Sequence, residues 1–151
     1  MKVARSLTLF SIYLLSGLFI SFCSMDEIPQ EGIRIRNLEL TGGVNSLPDT
    51  FPAFAYYKGS HNLLTGLFRS EKALATPEGA AFLQSDDSIN EVEEYYNRSF
   101  RENGWSVIQS HRSETEILLM AESPFGKLIT VILRAGPKTD IKVYVKRLGG
   151  D

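Results

Sequence analysis

Ser85-Asp86-Asp87-Ser88-Ile89-Asn90-Glu91-Val92-Glu93-Glu94-Tyr95-Tyr96-Asn97-Arg98-Ser99-Phe100-Arg101-Glu102-Asn103-Gly104-Trp105 is the stretch from which the fold can be read. Ser88 and Glu91 stand at the spacing of a capping box, in which hydroxyl and carboxylate each satisfy the other residue's backbone amide. Asp86 and Asp87 put negative charge where a helix dipole is positive. Ile89, Val92, Tyr96 and Phe100 fall at steps of three, four and four, which makes one apolar stripe. Asn103-Gly104 supplies a left-handed stop. The stretch predicts a helix from Ile89 to about Glu102, followed by Trp105 as a core residue at the start of a strand.

Downstream, Trp105–Gln109, Glu116–Ala121, Leu128–Arg134 and Ile141–Val145 read as strands, separated by turns at Ser113-Glu114, Ser123–Gly126 and Ala135–Lys138. Ile141, Val143 and Val145 alternate with Lys142, Tyr144 and Lys146, the pattern of a strand with one buried face. Upstream the signals are weaker. Ile33–Arg36 alternates apolar and basic residues, and Thr41 to Pro52 reads as a loop. Ala53–Tyr57 reads as a short strand, Leu63–Ala75 as a strand pair broken near Gly66, Thr76–Gly79 as a turn and Ala80–Gln84 as a short strand. The expected class is α+β: one helix on a curved antiparallel sheet, a β-α-β-β-β core with extra N-terminal strands.

The N-terminus carries a different message. Lys2 and Arg5 precede Ser6 to Met25, twenty residues without a charge, and Asp26-Glu27 end the run. A positive start, an apolar middle and a polar exit are the parts of a secretory signal. Ile20-Ser21-Phe22-Cys23-Ser24 resembles the lipobox of bacterial lipoproteins, which implies lipidation at Cys23. Phe22 departs from that pattern, because the position before the cysteine is usually small. Three fates fit the segment: a lipoprotein processed at Cys23, an uncleaved membrane anchor, or a soluble secreted chain. Each divides the protein into 1–23 as signal or anchor, 24–32 as tether and 33–151 as a single domain outside the cytoplasm.

Phe51-Pro52-Ala53-Phe54, Tyr57-Lys58-Gly59, the Ser88 cap, Val92, Tyr95-Tyr96, Phe100 and Gly104-Trp105 together resemble a small α+β module of exported bacterial envelope proteins, over roughly residues 50–147. The position before Tyr96 is often Phe in that module and is Tyr95 here. The resemblance implies fold and an envelope location, and it carries no catalytic residue.

Composition narrows the function classes. The 151 residues are 43% hydrophobic and 23% charged, an ordinary globular balance that excludes a fibre or a polytopic membrane protein. One cysteine excludes an internal disulfide framework and a multi-cysteine zinc site. The net charge of −2 and the lack of a basic run argue against a nucleic-acid partner. Charge is uneven, with acids gathered from Asp86 to Glu102 and bases from Lys127 to Arg147. His61 and His111 lack metal-ligand spacing. Asp86, Asp87, Glu91 and Glu94 lack the ligand alternation of a calcium loop. No nucleophile elbow, P-loop or dinucleotide fingerprint occurs, so no catalytic, cofactor or metal residue is expected.

Two binding surfaces are expected instead: the aromatic run Phe54, Tyr56 and Tyr57, and the basic face of Lys142, Lys146 and Arg147. The expected function is a non-catalytic interaction module of the cell envelope, held at a membrane through an N-terminal lipid or helix. Its partner would be another envelope protein or a host or matrix component. The alternatives are a small-molecule or glycan carrier, expected to show a cavity beneath the helix, and an envelope hydrolase built on His61 and a carboxylate.

Overall fold

A computed structural model describes residues 32–43, 46–69 and 78–147. The apolar run, Cys23, tether residues 24–31 and the expected turn at Thr76-Pro77 lie outside the described residues. Those described form eight strands and one helix: β1 (Gly32–Ile35), β2 (Leu38–Thr41), β3 (Ser60–Phe68), β4 (Glu78–Ser85), α1 (Ile89–Glu102), β5 (Ser106–Arg112), β6 (Glu116–Glu122), β7 (Lys127–Arg134) and β8 (Thr139–Arg147). The strands make a single antiparallel sheet in the order β1-β2-β3-β4-β8-β7-β6-β5. Two meanders, β1–β4 and β5–β8, are therefore joined side by side at the β4–β8 pair, where Ser85 opposes Thr139 and Gly79 opposes Val145. The pairing makes β4 and β5 parallel, and α1 carries the chain between them.

The helix begins and ends as its sequence dictates. Ser88 accepts from the Glu91 amide at 3.4 Å, and the Ser88 amide donates to Glu91 Oε2 at 2.9 Å. Gly104 adopts φ +70°. The Trp105 amide then donates to the Phe100 carbonyl at 2.8 Å and the Gly104 amide to the Arg101 carbonyl at 3.2 Å. These two bonds are the Schellman closure, which needs a left-handed residue that glycine adopts without a Cβ penalty.

Val92, Tyr96 and Phe100 share one buried core with Leu83, Ile117, Leu119, Val131, Val143 and other strand residues. Every second residue of β4, β6, β7 and β8 enters this core. Full burial of each such side chain is worth about 1.5–3 kcal/mol before entropy is counted. Phe51 seals the same side beneath β4: a Cβ on Gly79 would lie 2.6 Å from its ring.

Several upstream expectations are corrected. Ala53–Ala55 is a 3-10 turn and not a strand. Its turn is held from the helix, because Tyr96 donates to the Ala55 carbonyl at 2.9 Å and Tyr95 to the carbonyls of Phe54 and Tyr56 at 3.1 and 3.2 Å. The hydroxyl that distinguishes Tyr95 from Phe is thus in use. Gly66 does not break a strand pair; β3 runs through it. Gly79 belongs to β4, not to a turn, and Gly32 belongs to β1, not to a tether. The strand expected over Trp105–Gln109 starts one residue later and runs on through His111 to Arg112.

Candidate functional site

The face of the sheet opposite α1 carries a groove of about 500 Å³. Its floor is one row of register partners running across the strands: Leu40 on β2, Gly66 on β3, Ala80 on β4, Tyr144 on β8 and Thr130 on β7. Strands lie about 4.8 Å apart, so the row spans roughly 19 Å. Gly66 and Ala80 keep its middle low. A Cβ on Gly66 would sit 3.3 Å from Leu40 Cδ2, so even a methyl group would crowd the floor.

Higher rows flank this one. On one side Leu64, Phe82, Lys142 and Ile132 are successive partners. On the other, Leu38, Phe68 and Glu78 are partners, followed by Lys146 and Leu128 across β8 and β7. Phe82 meets the Tyr144 ring edge-on at 6.3 Å. Much of this apolar surface is open to solvent: Phe68 is 50% exposed and Leu64 37%. Beyond the groove Ile33 and Ile35 extend the same face at 61% and 58%. An arrangement of this kind binds by removing apolar surface from water, and its volume falls in the range of small-molecule sites.

Lys142 and Lys146 lie on this face on either side of Tyr144, with Lys142 partly buried and Lys146 exposed. Among the described residues neither forms an ion pair. Arg147 is exposed at the end of β8 and has an interaction of its own. The other expected surface is placed differently. Phe54 packs edge-on to Phe100 and Trp105 at 5.7 and 5.4 Å. Tyr56 donates to the Ser60 carbonyl at 2.9 Å. Tyr57 donates to Asp87 at 2.6 Å and stands edge-on to Tyr95 at 4.9 Å. All three are half-buried against the core, and Trp105 is half-buried with them. Burial first, then the bond to Asp87, pushes the Tyr57 phenol up to about 12.

No cavity is needed beneath the helix to seat Tyr96 and Phe100, which are fully buried and fill that space themselves. His61 is exposed on β3 and makes no hydrogen bond or ion pair with a carboxylate among the described residues. Its neighbour Asp86 is exposed and held below the usual carboxylate range chiefly by Lys138, at 2.8 Å, with a lesser contribution from His61. Glu91 is lowered by the two bonds from Ser88. Among the described residues, no three His, Cys, Asp or Glu side chains converge as a metal site, and no helix is long and apolar enough to cross a membrane. A second hollow, of about 540 Å³, lies on the helix side of β2 and β3. It is bordered by Glu39 and Arg69, which pair at 3.8 Å, so its principal charges meet each other.

Comparison with known proteins finds no matching family model, no similar curated protein and no similar solved structure. As binding residues, those lining the groove were missed in the sequence except for Lys146, with Lys142 standing in the flanking row. One signal was present: Leu64, Phe68, Leu38 and Leu40 are apolar at positions that alternation assigns to the face away from the core.

Proposed function

We propose that the chain is an exported, lipid-anchored protein of the cell envelope, with residues 1–23 as its leader and 24–32 as a tether. Its single domain acts as a non-catalytic interaction module, and its contact surface is the helix-free face of the sheet. The observation that carries this reading is the solvent-open apolar groove floored by Leu40, Gly66, Ala80 and Tyr144. Monomeric proteins rarely leave a contiguous apolar patch uncovered unless it meets something. The sheet in this reading curves around α1, supported by register shifts at Asn62/Leu64 and Val107/Gln109, since bulges bend and twist the strands that carry them.

A second reading, an envelope carrier of small molecules, is favoured by the volume of the same groove. Its apolar lining suits an apolar cargo and not a glycan, which needs polar partners. The anchor is tested by metabolic palmitate labelling and membrane fractionation of wild type against Cys23→Ala. Loss of label with release of the mutant from membranes supports the lipoprotein. An unlabelled wild type whose mutant stays in the membrane points to an uncleaved helix instead, and an unlabelled, freely soluble wild type overturns the anchor altogether.

A further inference from the structure

We propose that the groove on the open face holds the acyl chain of an anionic long-chain amphiphile. The tail lies over β4, β3 and β2, and the acidic headgroup sits at β8 between Lys142 and Lys146. This inference rests on the reading of the groove as the binding surface and goes further by naming what fills it.

Shape comes first. The floor row is a trough across the strands, lowest where Gly66 opposes Ala80 and walled by Leu64 and Phe82 on one side and Leu38 and Phe68 on the other. From Tyr144 to Leu40 it crosses three inter-strand steps, about 14 Å, and Ile33 continues it by one more. An extended long-chain acyl group is of that length and needs no polar partner along it.

Chemistry then separates the possible occupants. A peptide laid over this face would bring backbone N–H and C=O groups against side chains that offer none in return, and each unpaired buried group is costly. The sheet's own backbone is spent on its ladders. The polar groups of the floor row, the Tyr144 and Thr130 hydroxyls, stand together at its β8–β7 end. A second copy packed face to face would carry Lys142 and Lys146 of both chains into one desolvated layer.

Charge fixes the orientation. Lys142 and Lys146 stand two residues to either side of Tyr144, on the same face of β8. Glu78, in the same row as Phe68 and beside Lys146, and Asp140, next along this face from Lys142, match these charges in number, but Asp140 already accepts from Gln84 and faces Arg134 on β7, which leaves the two ammonium groups as the donors nearest Tyr144. The β2–β3 side presents leucines, Gly66 and Phe68. A ligand with one acidic end and one long apolar end matches that gradient, the acid accepting from the ammonium groups.

The test uses the full chain carrying Cys23→Ala, which has no lipid of its own, in nanodiscs of neutral phosphatidylcholine. A diazirine-bearing palmitate is added, irradiated, and its adducts mapped by mass spectrometry. Adducts should gather on peptides carrying Leu40, Phe68 or Phe82 and spare α1. Ala80→Phe, which fills the floor, should abolish them. Lys142→Glu with Lys146→Glu, confined to the accessible face, should lower them roughly fivefold or more, whereas labelling by the matching neutral alcohol should not respond to the charge reversal. Adducts spread equally over groove and helix, labelling indifferent to both variants, or a covalent dimer through this face would overturn the proposal. None of these results bears on the lipid anchor, which palmitate labelling at Cys23 decides separately.

Discussion

On the helix side of the sheet Leu83, Leu119, Val131, Ile141 and Val143 are at most 1% exposed, while their immediate chain neighbours Phe82, Met120, Thr130, Lys142 and Tyr144 remain accessible on the other side. Both faces are built by the same strands, and both carry large apolar residues. Strands that are apolar on two faces ordinarily belong to sheets covered on two faces. Here the described chain covers one of them. Over β4, β6, β7 and β8 the helix side is closed by its own side chains, and the other face is shaped by what it lacks, a row of small residues between taller ones.

The largest expected effect tests that contrast directly. Phe100→Ala should lower unfolding free energy in urea by about 3–5 kcal/mol, because a fully buried ring leaves a cavity. Phe68→Ala, on the open face, should stay within about 1 kcal/mol. Equal losses would mean that the two faces are equally packed and the groove is no groove. Next in size, Ser88→Ala should cost about 0.5–2 kcal/mol by removing the helix cap, and an unmoved denaturation midpoint would detach the helix start from the stability of the covered face.

A smaller effect should appear in alkali. The Tyr57 phenol is raised in the folded protein to about 12 from 10. Its contribution is present in full below pH 10 and is lost as pH rises through about 12, because the unfolded chain ionises first. Stability should fall across that window less steeply in Tyr57→Phe than in wild type. The smallest effect lies in acid: Asp86 and Glu91 are both lowered in the folded state, so their contributions are present above the ordinary carboxylate range and fade as pH falls through the lowered values. Far-ultraviolet dichroism should show that fading as a slight loss at the entry of α1, abolished in the double variant Asp86→Asn with Glu91→Gln.

What could be read in advance followed the range of the interactions involved. The helix was legible because the Ser88–Glu91 cap, the Val92–Tyr96–Phe100 stripe and Gly104 all act within a few residues. Strands β6 to β8 were legible from alternation. Ala53–Ala55 misled because the partners that fix it, the hydroxyls of Tyr95 and Tyr96, lie some forty residues away. Gly66 looked like an interruption because a missing side chain weakens a strand locally, yet its register with Leu40 and Ala80 turns that absence into the floor of the groove. The groove could not be seen beforehand, since it exists only once five strands are aligned. Lys142 and Lys146 were visible as a basic face, without the trough that runs between them.

The β4–β8 pair has a consequence for the time course of folding. Each meander is stitched from neighbours in sequence and can assemble locally, but the sheet becomes one body only when residues 139–145 reach residues 79–85. The entropy of closing a loop grows slowly with its length, so this step is affordable, yet it must precede the contacts that reward it. The strand that joins the two meanders is also the last of the eight described to leave the ribosome. Until it does, β4 and β7 both present bare edges, the templates on which chains pair wrongly. A nascent chain halted after Arg134 should therefore be aggregation-prone out of proportion to the loss of a single strand.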